Sequence, residues 1–224
     1  MSYIIKFIIV LLLFSCSPNE KKNTIAPVND KKVFEKGIQF IEEKKFKESI
    51  NQFIKINDEF PYSKYSSHAQ IYNAYVNFEL NKPDKTILIL TEYLSMNPDD
   101  LFTEYAEYLI AMCYYIKVSD PSRDSKFTKI AIEKFNKIIK NKPNSKYAKD
   151  AKFKLEYLNN YLARKEFEVG MYYLKNNAPS PAINRFSIVV RDYQGSSIIP
   201  QTLYRMHEAF EMLKLKDKSN QTYL

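Results

Sequence analysis

Residues 33–61 read VFEKGIQFIEEKKFKESINQFIKINDEFP, and this stretch decides the fold. Its apolar residues recur every three to four positions in two runs, which is the period of an amphipathic α-helix. The charged residues 43–45 separate the two runs, and Pro61 follows the second. Because proline cannot continue a helix, the stretch predicts two antiparallel helices joined by a short turn. The apolar positions are Val33, Phe34, Gly37, Ile38, Phe40 and Ile41, then Phe46, Ile50, Phe53, Ile54 and Ile56.

The same helical hairpin returns further along the chain. In the second helix of each copy, a small or β-branched residue precedes a large apolar residue by four positions. Small residues in the first helix allow close approach, and the large residue fills the groove between the helices. The pattern resembles tetratricopeptide repeats and predicts an all-α solenoid of about five hairpins. The second-helix pairs are Ser49/Phe53, Thr86/Leu90, Ala131/Phe135 and Ala182/Phe186, and the matching first-helix residues are Gly37, Ala74, Ala111 and Gly170.

Two repeat boundaries share a short sequence, PYSKY at 61–65 and PNSKY at 143–147. A serine at the start of a helix accepts a hydrogen bond from a backbone N–H that has no partner within the helix. The shared sequence therefore predicts that Ser63 and Ser145 are the N-caps of the helices that follow.

The spacing of the repeats predicts two modules. The copies at Thr86 and Ala131 are 45 residues apart, and the next interval is 51, longer than the usual 34. A loop at 118–125 accounts for the extra residues in the 45-residue interval. One long helix over about 146–176 accounts for those in the 51-residue interval. We therefore expect an N-terminal repeat module at 32–143, then a linking helix and a C-terminal repeat module at 144–224. A last helix over about 197–214 and a short polar tail would leave the final repeat incompletely capped.

The amino terminus predicts a lipid anchor. An apolar run from Ile4 ends in Leu13-Phe14-Ser15-Cys16, the pattern that bacterial lipoprotein signal peptidase cleaves before a lipidated cysteine. We expect residues 1–15 to be the signal peptide, Cys16 to carry the lipid, and 16–31 to be a flexible tether. The alternative is an ordinary signal peptide with a chance cysteine. Serine at position 17, where aspartate would retain the protein at the inner membrane, predicts the periplasmic face of the outer membrane.

Composition argues against several functions. The three glycines cannot form a phosphate-binding loop, and neither histidine has a second metal ligand at helical spacing, so we expect no cofactor, no metal site and no enzyme activity. The net charge of +8 would favour binding to nucleic acid, but the predicted export signal places the protein in a compartment away from nucleic acid. The basic excess lies in the C-terminal half, as either a solvated face or a docking site for an acidic protein. Cys113, in an apolar helical stretch, is expected to be buried.

Several stretches resemble the BamD family, the lipoprotein of the β-barrel assembly machinery. The resemblance implies a scaffold whose partners are the periplasmic domains of the barrel-forming insertase, other assembly lipoproteins and unfolded outer-membrane proteins. The alternative is a generic periplasmic repeat lipoprotein that scaffolds cell-wall or cell-division proteins; co-purification with a barrel insertase or with cell-wall enzymes would distinguish the two. The matching stretches are Glu59–Ser66, Gln70–Tyr75, Pro143–Tyr147, Leu162–Glu166, Ala182–Arg185 and Arg191–Tyr193.

The same resemblance suggests four contact residues. Phe60 matches a position that is aromatic in the family, and with Tyr62 and Tyr65 it is predicted to bind the extended C-terminal segment of an unfolded barrel protein. Arg185 matches a partner-facing arginine and is predicted to bind the insertase. A planar guanidinium can donate two hydrogen bonds to one carboxylate, which a lysine cannot do.

Overall fold

The computed structural model describes residues 29–118 and 125–221. Every regular element within these two segments is an α-helix, as the sequence predicted. Cys16, the predicted signal peptide and most of the predicted tether lie outside the described residues. The helices are α1 (Asp30–Glu42), α2 (Phe46–Glu59), α3 (Ser66–Glu79), α4 (Pro83–Met96), α5 (Thr103–Ile116), α6 (Lys126–Asn141), α7 (Lys146–Lys175), α8 (Pro179–Asp192), α9 (Ile199–Met212) and α10 (Lys216–Gln221).

The helices form successive hairpins, each with a first helix (A: α1, α3, α5, α7, α9) and a second helix (B: α2, α4, α6, α8, α10). Each helix packs against its neighbours in the sequence, and α5 and α7 also contact the preceding A helix, as α9 contacts α7. Among the described residues, the B helices make at most a marginal contact with one another. This is the arrangement of a helix-hairpin repeat array, and it confirms the predicted fold.

The A helices need small residues at these positions because the large residues of the B helices pack directly against their backbone. A Cβ atom added to Gly37 would lie 2.6 Å from Cε1 of Phe53, and one added to Gly170 would overlap Cε1 of Phe186. Both phenylalanines are fully buried. The Ser49 hydroxyl donates a 2.9 Å hydrogen bond to the Gly37 carbonyl, which shows how closely α2 approaches α1.

The turn from helix A to helix B is the same in four hairpins. Lys44, Asn81, Asn177 and Lys214 all have φ between 55° and 58°, the left-handed conformation that commonly ends a helix. In each hairpin the next residue donates its N–H to the carbonyl five positions back, at 2.8 to 3.0 Å. The connection between α5 and α6 runs through residues outside the described segments.

The fourth of these turns shows that the C-terminal segment is a shortened fifth repeat. The tail was expected to be short and polar, but residues 216–221 form helix α10, which packs on α9. Ser219 lies five residues after Lys214, as Ser49 lies five after Lys44, and it is fully buried. Its hydroxyl lies 2.7 Å from Nδ1 of His207, which stands in helix A where the first repeat has Gly37. The number of repeats agrees with the prediction, and the polar composition of the tail concealed only the second helix of the last one.

Helix α7 joins two parts of the core, and its predicted extent is confirmed to within one residue. Ala148, Ala151 and Leu158 in its first half pack with α5 and α6. Ala163 and Phe167 in its second half pack with α8 and α9. Because one helix contributes to both clusters, the division of the chain at residues 143 and 144 stays a prediction.

One of the two predicted serine caps is correct. The Ser145 hydroxyl accepts a 3.0 Å hydrogen bond from the backbone N–H of Ala148 at the start of α7. Helix α3 instead begins at Ser66, and its cap residue, Tyr65, makes no side-chain capping bond. Ser63 lies in the turn before it, where its hydroxyl donates to Oδ2 of Asp30 at 2.6 Å. The prediction for Ser63 was wrong because this contact with α1 is not encoded locally.

Candidate protein-binding surface

The turn between α2 and α3 carries the three predicted aromatic contact residues, and it is tied to α1. Ser63 accepts a 3.0 Å hydrogen bond from the backbone N–H of Tyr65, while its hydroxyl donates to Asp30. The hydrogen bond from Ser63, with a second from the backbone N–H of Lys31, holds the pKa of the Asp30 carboxyl below its usual value. These hydrogen bonds join the turn to the first turn of α1.

The structure places these three aromatic residues in different surroundings. Phe60 is half-buried against the core formed by the first hairpin and α3. The Tyr65 ring stacks on Phe34, with centroids 5.0 Å apart and an interplanar angle of 24°. Tyr62 is fully exposed. Phe60 and Tyr65 therefore share one packed cluster, while Tyr62 projects into solvent; the predicted binding role stays a prediction for all three.

An aromatic cavity lies beside this cluster, and the sequence analysis did not predict it as a site. It has a volume of about 270 Å³, and six side chains from α3, α7 and the beginning of α5 line it. Phe34, which stacks on Tyr65, also meets the Tyr72 ring edge-on at 5.7 Å, so contiguous rings join the cavity to the α2–α3 turn. The lining residues are Ile71, Tyr72, Tyr75, Phe102, Tyr105 and Tyr147.

The cavity has a neutral, apolar character. Burial raises the pKa of the Tyr105 hydroxyl above its usual value, and burial together with Glu79 raises that of Tyr75. The Tyr147 ring lies 5.9 Å from Tyr105 and 5.0 Å from Tyr108. This surface can therefore accept an apolar or aromatic side chain, with neutral phenol groups at its edge.

The sequence did contain a signal for this cavity. An aromatic residue follows the repeat-ending proline by four positions three times: Tyr65 after Pro61, Phe102 after Pro98, and Tyr147 after Pro143. Two of these three residues line the cavity, and the third stacks on Phe34. The recurrence places an aromatic ring at the start of successive A helices.

Arg185 lies on α8 and is held by α7. Its Nη1 atom donates a 2.9 Å hydrogen bond to Oε2 of Glu166. The Arg185 side chain remains 41% exposed, and its other guanidinium N–H groups have no partner among the described residues. The arginine thus has an intramolecular partner and spare donors; its predicted contact with the insertase stays a prediction.

The other titratable residues noted in the sequence have structural surroundings. Cys113 is fully buried, as predicted, and burial raises the pKa of its thiol to about 12. His68 contacts the Phe34 and Phe102 rings edge-on. In the two described segments, no group of three or more His, Cys, Asp or Glu residues could hold a metal ion. None of the helices in them has the length and apolar character needed to cross a membrane.

Comparison with known proteins identifies the family of this chain. Residues 27–224 match the YfiO family, described as outer membrane lipoprotein. The outer membrane protein assembly factor BamD of Rickettsia prowazekii is 33% identical, over 95% of this chain and 84% of that protein. The BamD of Caulobacter vibrioides is 29% identical, over 91% and 68%. The solved TPR2AB-domain:pHSP90 complex of yeast Sti1 aligns at 13% identity and a TM-score of 0.49, covering 86% of this chain and 74% of the other. The family match and the Rickettsia relative together show that the chain belongs to the BamD family.

Proposed function

We propose that the protein is a scaffold for the assembly of outer-membrane proteins and acts by binding other proteins, without catalysis. Relatives named as outer membrane protein assembly factors support the general role. In this proposal, lipid on Cys16 holds the chain at the periplasmic face of the outer membrane. The repeat array binds the periplasmic domains of the barrel-forming insertase and receives unfolded barrel proteins. Other assembly lipoproteins are further partners.

The aromatic cavity is the observation that carries this proposal. Strands of a membrane barrel alternate apolar and polar side chains, so an extended segment of an unfolded barrel protein presents apolar groups at regular intervals. A cavity of about 270 Å³ can take one such group. The aromatic residues of the α2–α3 turn, Phe60, Tyr62 and Tyr65, would contact the next groups along the segment. We therefore extend the predicted client site from that turn to the cavity.

A pair of tyrosine substitutions on α7 tests this site. Tyr147 lines the cavity, whereas Tyr172 is exposed on the same helix. We expect Tyr147→Ala to weaken binding of a labelled peptide copied from the C-terminal strand of a barrel protein by about tenfold or more, as truncation of a central aromatic contact does. Tyr172→Ala should bind like the wild type. Equal dissociation constants for all three proteins, measured by fluorescence anisotropy, would exclude the cavity as the client site.

The lipid anchor has its own test. Cys16→Ala removes the thiol that would carry the lipid, so the variant should not incorporate labelled palmitate and should leave the outer-membrane fraction. Ser17→Asp is the matched change, since it should keep the lipid and move the protein to the inner membrane. Unchanged palmitate labelling in Cys16→Ala would show that the anchor is elsewhere.

A further inference from the structure

Helix α7 leaves an aromatic surface uncovered in its first half. Phe153 and Tyr157 are four positions apart and therefore share one face of the helix. They are 71% and 55% exposed. The Tyr157 ring meets Tyr115, near the end of α5, with centroids 5.9 Å apart at 63°. Single exposed aromatic residues are ordinary on protein surfaces, but Phe153 and Tyr157 share a helix face, and Tyr157 contacts a ring of a second helix.

Contacts within the chain hold one ring of this patch, that of Tyr115. The Lys154 ammonium lies 5.2 Å from the centroid of the Tyr115 ring, and it pairs with Asp150 at 3.9 Å. Asp150 also accepts a 2.7 Å hydrogen bond from the Tyr108 hydroxyl. These side chains hold the Tyr115 ring in place. A partner that binds the patch therefore does not have to order this ring first.

A slot lies beside the patch, along a neighbouring face of α7. One turn beyond Tyr157, the Asn160 side chain accepts hydrogen bonds from the Ser196 hydroxyl at 2.7 Å and from the backbone N–H of Ser197 at 3.0 Å. These bonds bring the connection between α8 and α9 against α7. A cavity of about 340 Å³ lies between them, and Lys152 and Glu156 line its α7 side. Neither Phe153 nor Tyr157 lines the slot, and Lys152 borders both the slot and Phe153, its neighbour in the sequence.

The charge around the patch is mostly positive. Lys149 lies one turn before Phe153 on the same face, and Lys152 is adjacent to it in sequence. Both are exposed, and neither forms an ion pair with a carboxylate of the described segments. Glu156, four positions after Lys152, is an exposed carboxylate on the same side of α7 as that lysine. Unpaired lysines beside exposed rings favour a partner that brings carboxylates and apolar side chains together.

We propose that the surface formed by Lys149, Lys152, Phe153 and Tyr157 docks an acidic protein segment that carries an apolar side chain. The apolar group contacts the two rings, and the carboxylates of the segment pair with the two lysines. The surface is separate from the aromatic cavity and from Arg185, so it provides the scaffold with an additional partner site.

The test places a photoreactive phenylalanine analogue at position 153 of the full chain, in the membranes of the cells that make it. The same analogue at the exposed Leu88 on α4 is the control. We expect a protein adduct from position 153 whose crosslinked peptide contains more Asp and Glu than Lys and Arg. The double change Lys149→Glu and Lys152→Glu should reduce its yield by about tenfold, the effect of losing about 1.4 kcal/mol.

Four outcomes would overturn the proposal. They are a lipid adduct, no adduct beyond that of the Leu88 control, an adduct whose yield does not change on reversal of the two lysines, and a crosslinked peptide without an acidic excess. Circular dichroism of each variant checks that the array remains folded.

Discussion

The Nη1 atom of Arg185 lies 2.9 Å from Oε2 of Glu166, so the guanidinium predicted to face the insertase is already held by a carboxylate of α7. Pairing with Glu166 and binding to the insertase are separable roles, because one guanidinium has several hydrogen-bond donors. An exchange of the two charges distinguishes them: it rebuilds the pair within the chain but presents the opposite charge to a partner.

We predict that Arg185→Glu weakens binding to the insertase periplasmic domains and lowers the free energy of unfolding by about 1 kcal/mol, because it faces Glu166 with a like charge. The double variant Arg185→Glu/Glu166→Arg should regain the stability but not the binding. Urea denaturation and surface plasmon resonance measure the two properties. Recovery of both would show that Arg185 serves only to join α7 to α8.

Glycine substitutions test the close approach of the A and B helices. A Cβ at Gly37 or Gly170 would overlap a buried phenylalanine ring, whereas one at Gly195 has no atom within 4 Å. Gly37→Ala and Gly170→Ala should each destabilise the protein by about 1–3 kcal/mol, the usual cost of overpacking a core. Gly195→Ala is the matched control and should be neutral or slightly stabilising. Thermal denaturation followed by circular dichroism gives the comparison; equal melting of all three variants would refute this account of the packing.

The hydrogen bond between Ser63 and Asp30 predicts a pH dependence. The folded-state pKa of Asp30 lies below its unfolded value, so this carboxylate contributes stability above about pH 4 and loses that contribution as the pH falls through the folded pKa. Ser63→Ala should return the pKa of Asp30 toward its ordinary value. The difference in melting temperature between wild type and variant should therefore shrink in acid. Carboxyl NMR titration of Asp30 checks the pKa directly, and an unchanged value in Ser63→Ala would contradict the prediction.

Cys113 should be inert in the folded protein. Its thiol is fully buried and its pKa is raised to about 12, so at pH 8 it is neither accessible nor ionised. We expect Cys113 to react with a thiol reagent only as fast as the protein unfolds. Ile116→Cys, at an exposed position on the same helix, should add a thiol that reacts at once. Rapid labelling of Cys113 without denaturant would show that the α5 region opens locally.

The sequence predicts those parts of this molecule that depend on local pattern. The repeat of small and large residues predicted the hairpins, and the lack of a proline between Lys146 and Lys175 predicted the long helix. The Ser63 contact joins residues far apart in the chain, so no local pattern encodes it. Two of the cavity rings recur four positions after a repeat-ending proline, but the meeting of all six side chains depends on how α3, α5 and α7 pack. About five repeats were predicted, but the second helix of the fifth was missed because its sequence is polar and its contact with α9 is formed by His207 and Ser219, where the first repeat has Gly37 and Ser49.

The length of α7 fixes a distance in this protein. Tyr147, in the wall of the aromatic cavity, and Glu166, which holds Arg185, are nineteen positions apart on this helix. At 1.5 Å per residue, the helix sets these positions about 28 Å apart along its axis. One residue inserted between them would turn one end of the array by about 100° relative to the other, while seven residues would nearly restore the angle and add about 10 Å. The helix thus fixes both the distance and the rotation between the aromatic cavity at one end and the Glu166–Arg185 pair at the other.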